Sequence, residues 1–183
     1  MSYNPQIHHR RSVRLKGYDY TQAGAYFITI CTKAMQCLFG QVENDEMNLN
    51  PFGQIAYNEW LRTPQLRRNV SLDVFEIMPN HMHGIIIIDE PLHVINSPNA
   101  TGEAGFNLLT PISSFRSPSN TVGAIVRGYK SAVTKQINLL GHEDAVWQGN
   151  YHEHIIRNEK EYQRISDYIV NNTRNWQQDK FYR

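Results

Sequence analysis

Four consecutive isoleucines, Ile85-Ile86-Ile87-Ile88, leave this chain few ways to fold. Successive side chains on a strand point to opposite faces, so an unbroken β-branched run offers apolar groups to both. Such a strand belongs in the middle of a sheet, covered on each side. The run is also far too short to span a bilayer, which takes about 20 residues. Composition agrees with a packed interior: 183 residues, 40% hydrophobic and 19% charged, with a mean hydropathy of -0.53. That suits one soluble domain over residues 1–183. The opening stretch MSYNPQIHHRRS is basic and polar with no apolar segment behind it, so it does not read as a secretory signal. Two cysteines, Cys31 and Cys37, supply neither a disulfide framework nor a zinc pattern. A cytoplasmic enzyme or binding protein is the class that remains.

Around the isoleucine strand, AYFITIC (25–31) and VSLDVFEIM (70–78) read as two further strands. LFGQV and EMNLN, on either side of Asn44-Asp45, form a short hairpin. Asn50-Pro51 supplies an N-cap and a first-turn proline, and Ile55, Ala56, Trp60 and Leu61 follow at helical spacing, which predicts a helix over 51–66. From Asp89 to Asn120 four prolines stand among Ser, Asn, Thr and Gly, the composition of a flexible insertion. Ser119-Asn120-Thr121 can cap a helix that carries Val122, Ile125, Val126, Tyr129, Val133 and Ile137 and ends near Gly141. HEHII (152–156) predicts a last short strand, and Asn158 with Glu161 resembles a capping box that opens a helix to about 173. The order β-ββ-α-β-β-α-β-α predicts an α+β domain, a small antiparallel sheet with helices packed on it.

The net charge of +1 hides a basic arm, residues 1–18, where Arg10, Arg11, Arg14 and Lys16 precede the first acid. Such an arm either grips phosphates or is merely solvated. His81 and His83 alternate on a strand and so share a face, about 6.6 Å apart along it. Two imidazoles placed like that converge on one divalent ion, or stand exposed at a strand start, and the neighbouring Gly84 leaves room for another backbone or a ligand to approach. His152 and His154 have the same spacing and read as surface or packing groups. Tyr168 and Asn172 are spaced i, i+4 on one edge of the last helix, beside the stripe Tyr162, Ile165, Ile169 and Trp176. In isolation they are boundary residues. GAIVRGYKS (123–131) misses a phosphate-binding loop by one residue and does not follow a strand. Its Arg127 and Lys130 read as a basic helix face, either solvated or touching phosphates. Serine-hydrolase and zincin motifs do not occur.

Three segments in order, AYFITICT, MPNHMHGIIII and VWQGNYHEHIIRNEKEYQRISDYIVNN, resemble the single-tyrosine HUH transposases, and within them the REP-associated tyrosine transposase branch. The likeness covers about residues 12–175 and is poorest over 89–120. It implies a ferredoxin-like fold. It also implies that His81 and His83 bind magnesium or manganese, that Asn172 completes the metal site and that Tyr168 is the nucleophile, with His154 outside the metal site. The implied reaction cuts single-stranded DNA, often folded as a hairpin, leaving a 3′-hydroxyl and a covalent 5′-phosphotyrosine, and later rejoins it without an external energy source. Arg10, Arg11, Arg14, Lys16, Arg127 and Lys130 are then candidate DNA contacts. The family includes homodimers that share the tyrosine helix, and monomers. Two rivals stand beside this reading: a metal-dependent nuclease that activates water, and a catalytically silent protein that binds DNA hairpins.

Overall fold

The computed structural model describes residues 22–89 and 121–183. The basic arm with Arg10, Arg11, Arg14 and Lys16, and the insertion beyond Asp89, lie outside the described residues. The first strand, β1 (Gly24–Cys31), is followed by a hairpin of β2 (Gly40–Glu43) and β3 (Glu46–Leu49). Asn44 and Asp45 turn it with φ of 52° and 64°, the left-handed pair that a two-residue hairpin requires and that Asn and Asp tolerate. Asn50 caps α1 (Pro51–Leu61), its side-chain oxygen accepting from the N–H groups of Phe52 and Gly53 at 2.9 Å each. The single helix expected over 51–66 is in fact two. Pro64 has no N–H to donate to the Trp60 carbonyl, so α1 stops and a short α2 (Thr63–Leu66) restarts the chain.

Strands β4 (Val70–Met78) and β5 (His81–Ile88) form a tight antiparallel pair across Pro79-Asn80, with a register shift between Leu72 and Phe75. Beyond the insertion come α3 (Val122–Leu139), β6 (His152–Ile156) and α4 (Glu159–Val170). Thr121 caps α3 through the Ala124 N–H, and the near-miss phosphate loop is simply the interior of this helix. Asn158 caps α4 by accepting from the Glu161 N–H, while the Glu161 carboxylate accepts from the Arg157 N–H one residue further back. The last helix ends at Val170 rather than near 173, and a 3-10 turn at Trp176–Gln178 carries the chain onward.

The sheet runs β4-β5-β1-β6, antiparallel at every pairing. Helices α1 and α3 cover one face, which together with β1, β4, β5 and β6 gives the ferredoxin-like arrangement; the hairpin β2–β3 is inserted after β1, and α4 is added on the other face. Strand β5 lies between β4 and β1, as its isoleucines demand. Ile86 and Ile88 pack with Tyr26, Ile28, Ile30, Val126 and Val133 on the closed face. Ile85 and Ile87 meet Ile165 and Ile169 of α4 on the opposite, open face. Gly84 opens no space for a ligand: a Cβ there would lie 3.0 Å from Trp60 Cζ2 and 3.1 Å from Phe75 Cβ, so its role is to admit the indole. No described helix is long and apolar enough to cross a membrane.

Candidate active site

The period of two in β5 puts His81 and His83 on the open face, in line with Ile85 and just beyond the apolar patch under α4. Both rings are fully buried, with centroids 4.5 Å apart. Burial lowers both pKa values, His81 to about 4 and His83 well below its usual range. For His81 the Lys180 charge adds to that effect, and Asp179 and Asn172 oppose it. For His83 the neighbouring His81 and Lys180 reinforce it. At neutral pH both imidazoles are uncharged, the form that ligates metals.

Their orientation is fixed from behind. Asn80 donates its amide N–H groups to the carbonyls of Phe181 (2.7 Å) and Met35 (3.3 Å), so its oxygen faces His81 Nδ1 at 2.8 Å. Nδ1 must therefore carry the proton, which leaves the lone pair on His81 Nε2. That Nε2 is buried and has no hydrogen-bond partner among the described residues. His83 Nδ1 lies 2.9 Å from the Thr29 hydroxyl on the neighbouring strand. Its Nε2 points to the Tyr168 hydroxyl at 3.0 Å.

Helix α4 brings Tyr168 there because Ile165 and Ile169 are drawn into the patch with Ile85 and Phe27, and because the Tyr162 hydroxyl donates to the Asp73 carboxylate on β4. Tyr168, beside that ridge, is 39% exposed. One turn on, Asn172 is 1% exposed; its amide N–H donates to Asp179 Oδ2 at 2.9 Å, and its Oδ1 is the second buried polar atom here without a partner. Asp179 Oδ2 also accepts from the Tyr168 hydroxyl at 3.1 Å, and Oδ1 accepts from the Phe181 N–H. Desolvation and the Asp179 charge raise the Tyr168 pKa. Phe181 closes the site from outside, its ring 4.6 Å from that of His81.

Ligand atoms of His81, His83 and Asp179 all lie within 4.8 Å of one another. With the lone pairs of His81 Nε2 and Asn172 Oδ1 buried beside them, the cluster could hold a divalent ion. The structure thus brings His81, His83, Tyr168 and Asn172 together. Asp179, Asn80 and Thr29 were not foreseen. Asn80 stands in the His-box turn and could have been suspected; Asp179 sits in the C-terminal segment, where no periodicity marks it. Arg127 and Lys130 are not brought to the cluster, since α3 lies on the closed face and the Lys130 ammonium donates to the carbonyls of Gln148 and Gly149. His154 pairs with Glu161 at 2.7 Å, a packing role, while His152 lines the cleft beside Tyr168.

No family model matches the chain. An uncharacterized protein of Haemophilus influenzae is 44% identical over 181 residues, covering 98% of this chain and 97% of that one. The two chains belong to one family. Among solved structures, a REP-associated tyrosine transposase bound to a REP hairpin superimposes with a TM-score of 0.55 and 18% identity, over 90% of this chain and 74% of that one. The chain has that transposase's fold, in agreement with the resemblance read from its three motifs. A transposase candidate from Deinococcus radiodurans aligns with a TM-score of 0.42 and 15% identity, too loosely to carry weight.

Proposed function

We propose that the protein is a transposase that cuts and rejoins single-stranded DNA, with Tyr168 as nucleophile. The observation that carries this reading is the Tyr168 hydroxyl resting 3.0 Å from His83 Nε2, beside two buried lone-pair atoms, His81 Nε2 and Asn172 Oδ1, that have no partner among the described residues. His81, His83, Asn172 and Asp179 form a mixed nitrogen and oxygen set that suits magnesium or manganese. Bound there, such an ion supplies Lewis-acid polarisation of the scissile phosphate.

The chain's own groups do the rest. The Tyr168 hydroxyl has one proton and donates it to Asp179; a His83 that ligated through Nε2 would keep its own proton on Nδ1, toward the Thr29 hydroxyl. The hydroxyl passes its proton to that carboxylate as its oxygen bonds to phosphorus. The P–O3′ bond breaks, and the departing oxygen takes a proton from water to become a 3′-hydroxyl. The phosphotyrosine keeps the phosphodiester's energy, so attack by a 3′-hydroxyl reverses the step. By analogy with the hairpin-bound transposase of the same fold, the substrate is a single strand folded as a hairpin. The basic arm, with Arg10, Arg11, Arg14 and Lys16, supplies phosphate contacts.

Labelled single strands copied from the DNA flanking the gene, incubated with manganese and run on a denaturing gel, test this. Wild-type protein should give a band at protein-plus-DNA mass, and Tyr168→Phe should give none. Cleavage without an adduct, equal in both, would make the protein a water-activating nuclease. Hairpin binding with no cleavage by either would make it a binding protein.

A further inference from the structure

Beside Tyr168 a cleft of about 420 Å³ runs along α4 and over β6. Phe27 and Ile165 give it an apolar wall, Arg164 and Lys180 give it cations, and His152, His154 and the Asp179 carboxylate stand among the rest of its lining. Arg164 stands i−4 from Tyr168, hence on the same helix edge and about 6 Å further along the axis. On an isolated helix its natural partners would be Glu161 and Asp167, three residues to either side. Glu161 is already taken, one oxygen by His154 Nε2 at 2.7 Å and the other by the Arg157 N–H at 2.9 Å. No ion pair joins Arg164 to Asp167, and Arg164 makes no hydrogen bond to any described residue. Lys180 rests its ammonium 4.7 Å from the centre of the Phe181 ring and makes no ion pair among the described residues. His154, on the same cleft, is tied to Glu161.

Resting on the transposase reading, we propose that this cleft is a second phosphate subsite. Arg164, with Lys180 and His152 behind it, holds the phosphate next to the one that Tyr168 attacks, while the nucleotide between them lies on Phe27 and Ile165. Arg164 acts as a positioning residue: its planar fork fixes the strand one helical turn from the nucleophile, so that the scissile phosphorus meets the Tyr168 oxygen in line. A helix that carries nucleophile and clamp on one edge holds their separation constant however the strand enters.

A charge-removal scan tests the assignment. Each phosphate near the cut is replaced singly by a neutral methylphosphonate, and initial rates of adduct formation are compared for wild type, Arg164→Ala and Arg164→Lys. At one linkage adjoining the scissile one, neutralisation should slow wild type about tenfold or more, the scale of a lost charge-assisted hydrogen bond, and should slow Arg164→Ala little further. Arg164→Lys should keep part of that sensitivity, and the loss should appear in KM before kcat. Equal sensitivity of wild type and Arg164→Ala at every linkage would overturn the subsite while leaving the transposase reading intact. Failure of wild type to form any adduct would remove the reading itself, and the subsite with it.

Discussion

The two faces of the sheet share a strand and little else. On the closed face Met82, Ile86 and Ile88 of β5 are sealed by α1 and α3; Glu59 pairs with Arg62 and Gln136 and the Tyr129 hydroxyl with the Ala56 carbonyl, while the buried indole N–H of Trp60 has no partner among the described residues. On the open face His81, His83, Thr29 and Asn172 are as deeply buried, and there the atoms without a partner among the described residues, His81 Nε2 and Asn172 Oδ1, both carry lone pairs. Burial is favourable on the first face, at about 25 cal/mol per Å² of apolar surface. It is costly on the second, where desolvation pushes two imidazoles away from their charged form. Alternation along β5 therefore divides the work: even-numbered residues build the main core, while on the odd-numbered side Ile85 and Ile87 fasten α4 and His81 and His83 are held uncharged by burial.

The largest expected effect falls on the open face. Tyr168→Phe should lower adduct formation by roughly 10³-fold or more. It removes two exposed or half-exposed hydrogen bonds but keeps the ring against Phe27 and His83, so its stability should change by no more than about 1 kcal/mol. On the closed face the pattern inverts. Ile86→Ala should cost about 2–5 kcal/mol in urea unfolding while the adduct rate per folded molecule stays unchanged. A large loss of rate in Ile86→Ala at full folding would break the separation of the faces.

A sharper test concerns which chain serves which site. Tyr168 reaches His83 of its own chain, and α4 is fastened to its own sheet by Ile165, Ile169 and the Tyr162–Asp73 bond. A mixture of His81→Ala and Tyr168→Phe proteins should therefore stay inactive, whereas recovery of adduct would mean that tyrosine helices are exchanged between copies.

Much of this was legible before any coordinates, for a physical reason. Short-period patterns survive folding unchanged: the isoleucine run dictated a central strand, the Asn50 and Asn158 caps marked two helix starts, and i, i+4 spacing put Tyr168 and Asn172 on one edge. The break at Arg62 was also written in the chain, as Pro64, but a continuous apolar spacing masked it. Gly84 misled, because a small residue beside a histidine pair invites a ligand, and only three-dimensional packing shows that its open side belongs to Trp60. Asp179 was invisible. It reaches the site by a turn at Trp176–Gln178, and no local rule connects such a turn to histidines about a hundred residues earlier.

The smaller predictions use pH to separate the open face from the rest of the molecule, in the presence of a chelator. Folded His81 takes a proton only near pH 4, whereas an unfolded histidine does so near 6.5. Between those values the unfolded chain binds the extra proton, so this contribution is present above pH 6.5 and is lost as the pH falls toward 4, by roughly 3 kcal/mol at most. His81→Gln should flatten that part of the stability profile.

Glu76 carries the opposite sign. It faces His83 from β4, has no ion pair among the described residues, and burial raises its pKa from 4.5 to about 7. Here the folded chain binds the extra proton, so stability is present below pH 4.5 and declines as the pH rises through 7. Solvent reaches part of the carboxylate and screens it, which limits the effect. Glu76→Gln should therefore raise Tm by about 1–2 °C at pH 8 and leave it unchanged at pH 4. A Tm gain of the same size at both values would show that the amide gains a hydrogen bond the carboxyl lacks, and that charge burial on β4 has no part in it.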